Sequence, residues 1–216
     1  YVSPFQGQAL DGVLSYPMFF QIRNVFASGK SFSMLQTLSD SMPSQFLDVS
    51  LLGTFLDNHD NVRFLNINSD RTKYKNALLH VLFSSGIPII YYGTEQGFDG
   101  GSDPDCREIM WPTEYDTTND LYQFLKLAIA TRKKTKAWSL GYPKWYWADD
   151  SFGLFAKDQT MLVATTNVGN EDISRVVPLG GFKEGAQYCD ALDQSYCSNI
   201  QGGKISINLS NGMPRV

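Results

Sequence analysis

The chain of 216 residues is 43% hydrophobic and 19% charged, with a formal net charge of -4. That composition supports one or two buried cores, excludes wholesale disorder, and carries no basic footprint for nucleic acid. No apolar run reaches the roughly 18 residues that a membrane-crossing helix needs, so no membrane partner is expected.

Tyr1-Val2-Ser3-Pro4 is neither an initiator Met nor a signal peptide, and the chain is expected to begin partway through a longer protein. Gly12 to Tyr16 then reads as a strand and Phe19 to Phe26 as a helix. Leu51 to Leu56 is the next strand, followed by a helix from Asp70 to Phe83 with Tyr74, Leu78, Val81 and Leu82 on one face. Ile87 to Tyr92 is a buried-type strand ending at Gly93. After a polar loop, Asn119-Asp120 caps a long helix whose Leu121, Phe124, Leu125, Ala128 and Ile129 form a stripe. Strand and helix in alternation imply a parallel sheet with crossovers. The basic run Arg132 to Lys136 suits a helix end and reads as a solvated face.

Beyond Gly141-Tyr142-Pro143 the texture changes to short β-branched or aromatic runs separated by turn formers. Lys144 to Trp147, Phe152 to Ala156, Met161 to Thr166, Ile173 to Leu179 and Ile205 to Leu209 make an antiparallel β-domain the size of a small sandwich. The division falls between residues 1–140 and 141–216. Trp145 and Trp147 are read as sandwich core or an interface to the first part, and His80 as a partly buried structural residue. Of three cysteines, Cys189 and Cys197 could close a small loop, and Cys106 is left over. With the acceptor sequence Asn208-Leu209-Ser210, they favour secretion weakly.

Parallel strands carry functional groups at their carboxyl ends. One strand here ends at Asp57-Asn58-His59-Asp60-Asn61, with Arg63 close behind. Another ends at Gly93-Thr94-Glu95, and its outgoing loop carries Asp103, Asp105, Arg107 and Glu108. Tyr91, Tyr92, Phe98 and Trp111 surround those charges. Carboxylates, a guanidinium and flat rings at one rim suit a polyhydroxylated ligand. The plainer alternative is a capped helix start, with Asp60 bonded to backbone amides and His59 packed inward.

Phe55 to Asn61 resembles the Phe-x-x-Asn-His-Asp signature of the α-amylase family of glycoside hydrolases. Gly86 to Gln96 is similar to that family's final barrel strand, and Gly100 to Glu108 to the substrate-binding loop of its fungal-type secreted members. Leu10 to Pro17 resembles the sixth strand, and Gly212 to Val216 the close of the last domain. The resemblance implies an α/β plus all-β chain: the last three strand–helix units of a (β/α)8 TIM barrel, then a small antiparallel β-sandwich. It implies retaining endo-hydrolysis of α-1,4-glucosidic bonds in starch or glycogen, with α-glucosidase, transglycosylase or a non-catalytic starch-binding remnant as alternatives. The family's nucleophilic Asp and acid/base Glu motifs do not occur in this sequence, so the segment alone is expected to be inactive.

By the same resemblance Asp60 is the third catalytic carboxylate, which favours the oxocarbenium-like transition state, and His59 bonds the same sugar's hydroxyl edge. Asp103 and Arg107 hold neighbouring glucose units. Glu95 is read as a rim residue that orders the active site, and not as a partner of Asp60 in catalysis. Calcium is expected in the complete enzyme with ligands outside this segment. Asp99, Asp103 and Asp105 are expected not to form a metal site, because Asp103 is committed to Arg107 or sugar. The partners implied are starch or maltooligosaccharides, and the complete protein is expected to be a secreted monomer.

Overall fold

The computed structural model describes residues 3–216; Tyr1 and Val2, where the chain is expected to enter from a longer protein, lie outside them. The run Gly12 to Tyr16, expected as a strand, makes a single parallel bridge from Leu14 to Gly53. The chain turns early because Tyr16 already opens helix α1 (Tyr16–Phe26), with Pro17 in its first turn, where a missing N–H costs nothing. Met18, Phe19, Ile22, Val25 and Phe26 give α1 its buried face. A second helix, α2 (Ser33–Gln45), was not expected from the sequence; it buries Leu35, Ser39 and Met42 along one narrow stripe.

Strand β1 (Gly53–Phe55) is wholly buried and pairs in parallel with β2 (Ile87–Ile89), Gly53 opposite Ile87. A Cβ on Gly53 would come within 2.9 Å of side-chain carbons of both Leu14 and Ile89, so only glycine fits between the flanking segments. Between the strands run the single turn α3 (Phe64–Ile67) and helix α4 (Arg71–Phe83), whose N-cap Asp70 accepts from the amides of Thr72 and Lys73. Helix α4 is buried almost all round, Tyr74 and Asn76 through Phe83 included, because it has protein on both sides. Helix α5 (Asp120–Thr135) carries Asp120 in its first turn and Arg132, Lys133 and Lys134 in its last, matching its dipole.

After α5 every strand pairing is antiparallel. Strands β3 (Lys144–Ala148), β4 (Phe152–Lys157) and β5 (Met161–Thr166) form one sheet, to which the chain end adds a bridge between Ala164 and Arg215. Strands β6 (Ile173–Pro178) and β9 (Lys204–Leu209) pair separately. Strands β7 (Gln187–Cys189) and β8 (Cys197–Asn199) form a hairpin in which Cys189 faces Cys197 and is disulfide-bonded to it. Asn208 is half-buried on β9 and donates to Ser210 Oγ, so the acceptor asparagine lies on a paired strand while Ser210 opens the turn that follows.

The β3–β4–β5 sheet is buried on both faces. Trp145, Phe155, Met161 and Val163 join the core that holds α1, α2 and α4. Phe152, Leu154, Ala156, Leu162 and Ala164 turn the other way, onto Val177, Leu179, Ile205, Ile207 and Leu209. That alternation is the period-two pattern of a strand with an apolar layer on each side. His80 of α4 is fully buried between Phe26, Trp145 and Phe155, and burial lowers its pKa to about 4, so it is a neutral part of this core.

Candidate active site

Strand β1 delivers the chain to Asp57, which is only 3% exposed. Its Oδ1 accepts from the Phe64 amide at 2.7 Å and its Oδ2 from the Tyr74 hydroxyl at 2.6 Å. Burial pushes the Asp57 carboxyl above its ordinary pKa, against the pull of those two donors and of the Arg23 and Arg63 charges. The next residue makes the turn: Asn58 Oδ1 accepts from the amides of Asp60 and Asn61, while its Nδ2 donates to the Tyr16 hydroxyl at 3.2 Å. Both anchors lie beneath His59 and Asp60, which project outward with side chains 64% and 53% exposed and Nε2 3.3 Å from Oδ1. A capped turn was the plainer expectation here, but the caps are Asp57 and Asn58, and His59 does not pack inward.

The loop from Gly100 to Glu108 lies against this strand end. The His59 carbonyl accepts from Arg107 Nε at 3.0 Å and from the buried Cys106 thiol at 3.3 Å. Arg107 Nη2 meets Asp103 Oδ1 at 2.9 Å, both side chains about half exposed. His59, Asp60, Asp103 and Arg107 are thus brought together on one open surface. Exposed aromatic side chains, Tyr92, Trp111 and Tyr115, belong to the segments on either side of the loop.

Under that surface lies Arg63, with a side chain 0% exposed. Its Nε donates to Glu108 Oε2 at 2.6 Å and to the Cys106 carbonyl at 3.2 Å, and its Nη1 to the Tyr92 carbonyl at 2.9 Å. The guanidinium carbon stands 4.5, 5.3 and 5.2 Å from the ring centres of Tyr91, Tyr92 and Phe98. Gly93, at φ 83, lets Phe98 close this cage; a Cβ there would sit 2.1 Å from its ring.

Asp57, Tyr74 and the pairing of Arg63 with Glu108 were not singled out from the sequence. Asp57 stood in the charged cluster, but nothing local tells which carboxylate faces inward. Glu95 lines a groove of about 500 Å³ together with Ile90 and with Tyr122, Leu125 and Ile129 of α5. Among the described residues no group of three or more His, Cys, Asp or Glu is arranged to hold a metal ion. With Asp103 turned to Arg107, the residues present do not fit a calcium cage.

Two short parallel strands end in a polar, aromatic-rimmed surface, and antiparallel sheets follow them in the chain. Residues 2–117 match the alpha amylase catalytic domain, and the chain belongs to that family. It is 46% identical over 126 residues to Alpha-amylase 1 of Lipomyces kononenkoae, covering 58% of this chain and 20% of that protein. It is 33% identical over its whole length to Alpha-amylase 1 of Schwanniomyces occidentalis, of which it covers 44%. The structure of an alpha-amylase from Malbranchea cinnamomea superposes on all of this chain with a TM-score of 0.87 at 28% identity, and the chain covers 47% of it. The chain therefore spans less than half the length of these relatives.

Proposed function

We propose that this chain is the carboxyl-terminal part of a secreted, fungal-type α-amylase that cuts α-1,4-glucosidic bonds inside starch or glycogen with retention. Residues 1–140 supply the last barrel units and 141–216 the β-domain. Retaining glycosidases use two carboxylates about 5 Å apart, a nucleophile and an acid/base. Those two come from outside this segment, and Asp60 works beside them. Its exposed carboxylate, rigidly founded on Asp57 and Asn58, grips the ring hydroxyls of the sugar being cleaved and favours the positive charge that develops there. His59 bonds the same hydroxyl edge, and Asp103 with Arg107 holds neighbouring glucose units.

One observation carries this reading: His59 and Asp60 project side by side while the His59 carbonyl is bonded by Arg107, whose other end holds Asp103. The transition-state group and the sugar-holding pair are thereby one construction. The disulfide supports export to an oxidising compartment. Calcium in the complete enzyme takes its ligands from beyond these residues, the partners are starch and maltooligosaccharides, and the complete enzyme acts as a monomer.

Steady-state profiles of the complete enzyme on one defined maltooligosaccharide test the assignment. Asp60→Asn keeps shape and most hydrogen bonding, and is expected to lower kcat by about 10² or more with KM little changed. Arg107→Ala is expected to raise KM for short oligosaccharides more than it lowers kcat. Near-normal kcat with weakened binding in Asp60→Asn would reduce Asp60 to a sugar anchor and overturn the reading.

A further inference from the structure

We propose that Arg63 and Glu108 are a positioning pair that sets the enzyme's grip on the glucose units beside the cut, without touching sugar; the proposal rests on the sugar-contact reading of Asp103 and Arg107. Arg63 is sealed from solvent, so it cannot meet a ligand. What it meets is the loop that carries the ligand contacts. Glu108 closes that loop on itself: its Oε1 accepts the Gly100 amide at 2.5 Å, while its Oε2 takes Arg63 Nε. The Gly100 carbonyl in turn accepts from the Arg63 amide at 3.0 Å, so both ends of the loop are fixed to one residue of the strand end.

The far side of Arg63 is tied to the Tyr92 carbonyl, and the Tyr92 hydroxyl donates to the Glu108 carbonyl at 2.8 Å. The segments following β1 and β2 are thus joined at the guanidinium, and the Asp103–Arg107 fork stands on that junction. A carboxylate is required at 108 because both of its oxygens accept, one from an amide and one from a guanidinium. Gln would present an N–H to one of those donors. Gly100 is equally constrained, since a Cβ there would lie 1.9 Å from the Asp105 carbonyl oxygen and 2.7 Å from the Glu108 carboxyl carbon. Gly100→Ala therefore disturbs the same closure without removing a charge.

The experiment is a double-mutant cycle in the complete enzyme. Glu108→Gln and, separately, Gly100→Ala are each expected to raise KM for a short maltooligosaccharide about tenfold, with kcat within about threefold of the parent. In an Arg107→Ala background either change should raise KM by less than about twofold, because the grip it positions is gone. Hydrogen exchange at the amides of residues 100–108 is expected to speed up in both single variants. The same KM factor in both backgrounds would overturn the proposal, as would unchanged KM with lowered thermal stability. A loop that exchanges faster while KM stays put would also overturn it, and would locate the failure in the sugar-contact reading rather than in the anchoring.

Discussion

Asp57 offers the sharpest test of how the strand end is held. Asp57→Ala strips the acceptor from the Phe64 amide and the Tyr74 hydroxyl where water does not reach, and leaves the Arg23 and Arg63 charges without this carboxylate. Each hydrogen bond to a charged group is worth about 1.5–3 kcal/mol, and breaking a buried charged arrangement costs about 3–5 kcal/mol in all. At about 2–4 °C per kcal/mol for a chain of this size, Tm should fall by roughly 6–20 °C. Asp57→Asn keeps an oxygen for the Phe64 amide, can donate to the Tyr74 oxygen, and no longer buries a charge. Its loss should be only about 1–2 kcal/mol.

The two substitutions also separate with pH. The folded Asp57 carboxyl has a raised pKa because burial disfavours its charge. Its contribution to stability is complete below the ordinary Asp value of 3.8 and is lost as pH rises through the raised folded value. The wild-type advantage over Asp57→Asn should therefore shrink as pH rises from the ordinary Asp value of 3.8 through the raised folded one. Urea denaturation followed by circular dichroism at several pH values measures both effects. An Asp57→Ala variant within about 1 kcal/mol of wild type, or as stable as Asp57→Asn, would refute the argument that the buried donors need this residue.

Lys157 donates to the carbonyls of Ser84 and Ala137, and burial together with the Arg132 charge lowers its pKa to about 8. The unfolded chain binds the extra proton between that value and 10.5, so stability should rise across this window by at most about 3 kcal/mol, and Lys157→Met should flatten the rise in urea melts near pH 7.5 and 10. Replacing Cys189 and Cys197 by serine opens a closure of sequence separation 8, and should cost about 2.5 kcal/mol in the same assay; no loss would mean that the β7–β8 hairpin holds its register unaided.

The strand end at Asp57 to Asp60 stood out in the sequence because its charged residues follow an apolar run directly, whereas the loop at Asp103 to Arg107 was singled out through the family resemblance. Helix α2 was not, since Ser33 to Gln45 is rich in serine, carries Pro43, and buries only Leu35, Ser39 and Met42. The strand expected over Gly12 to Tyr16 is cut to one parallel bridge with Gly53 for a local reason, as Pro17 sets the helical start that the apolar run conceals. Strands β7 and β8 are three residues each, with no alternation long enough to read. The Arg63–Glu108 pair joins positions 45 apart, and no local spacing rule reaches that far. The family resemblance placed His59 and Asp60 on the surface but said nothing of what lies beneath them.

The sheet of β3, β4 and β5, apolar on both sides, bears on how such chains can be recombined. Phe155, Met161 and Val163 share one core with residues of α1, α2 and α4, so apolar packing runs across the seam at Gly141. A hybrid that joins the barrel units of one relative to the β-domain of another at that point would mismatch side chains from His80 through Trp145 and Phe155. The transplantable unit is therefore the β-domain with the facing surfaces of α1, α2 and α4 included. Compatible hybrids should be sought among relatives that share those contact residues, whatever their loops look like.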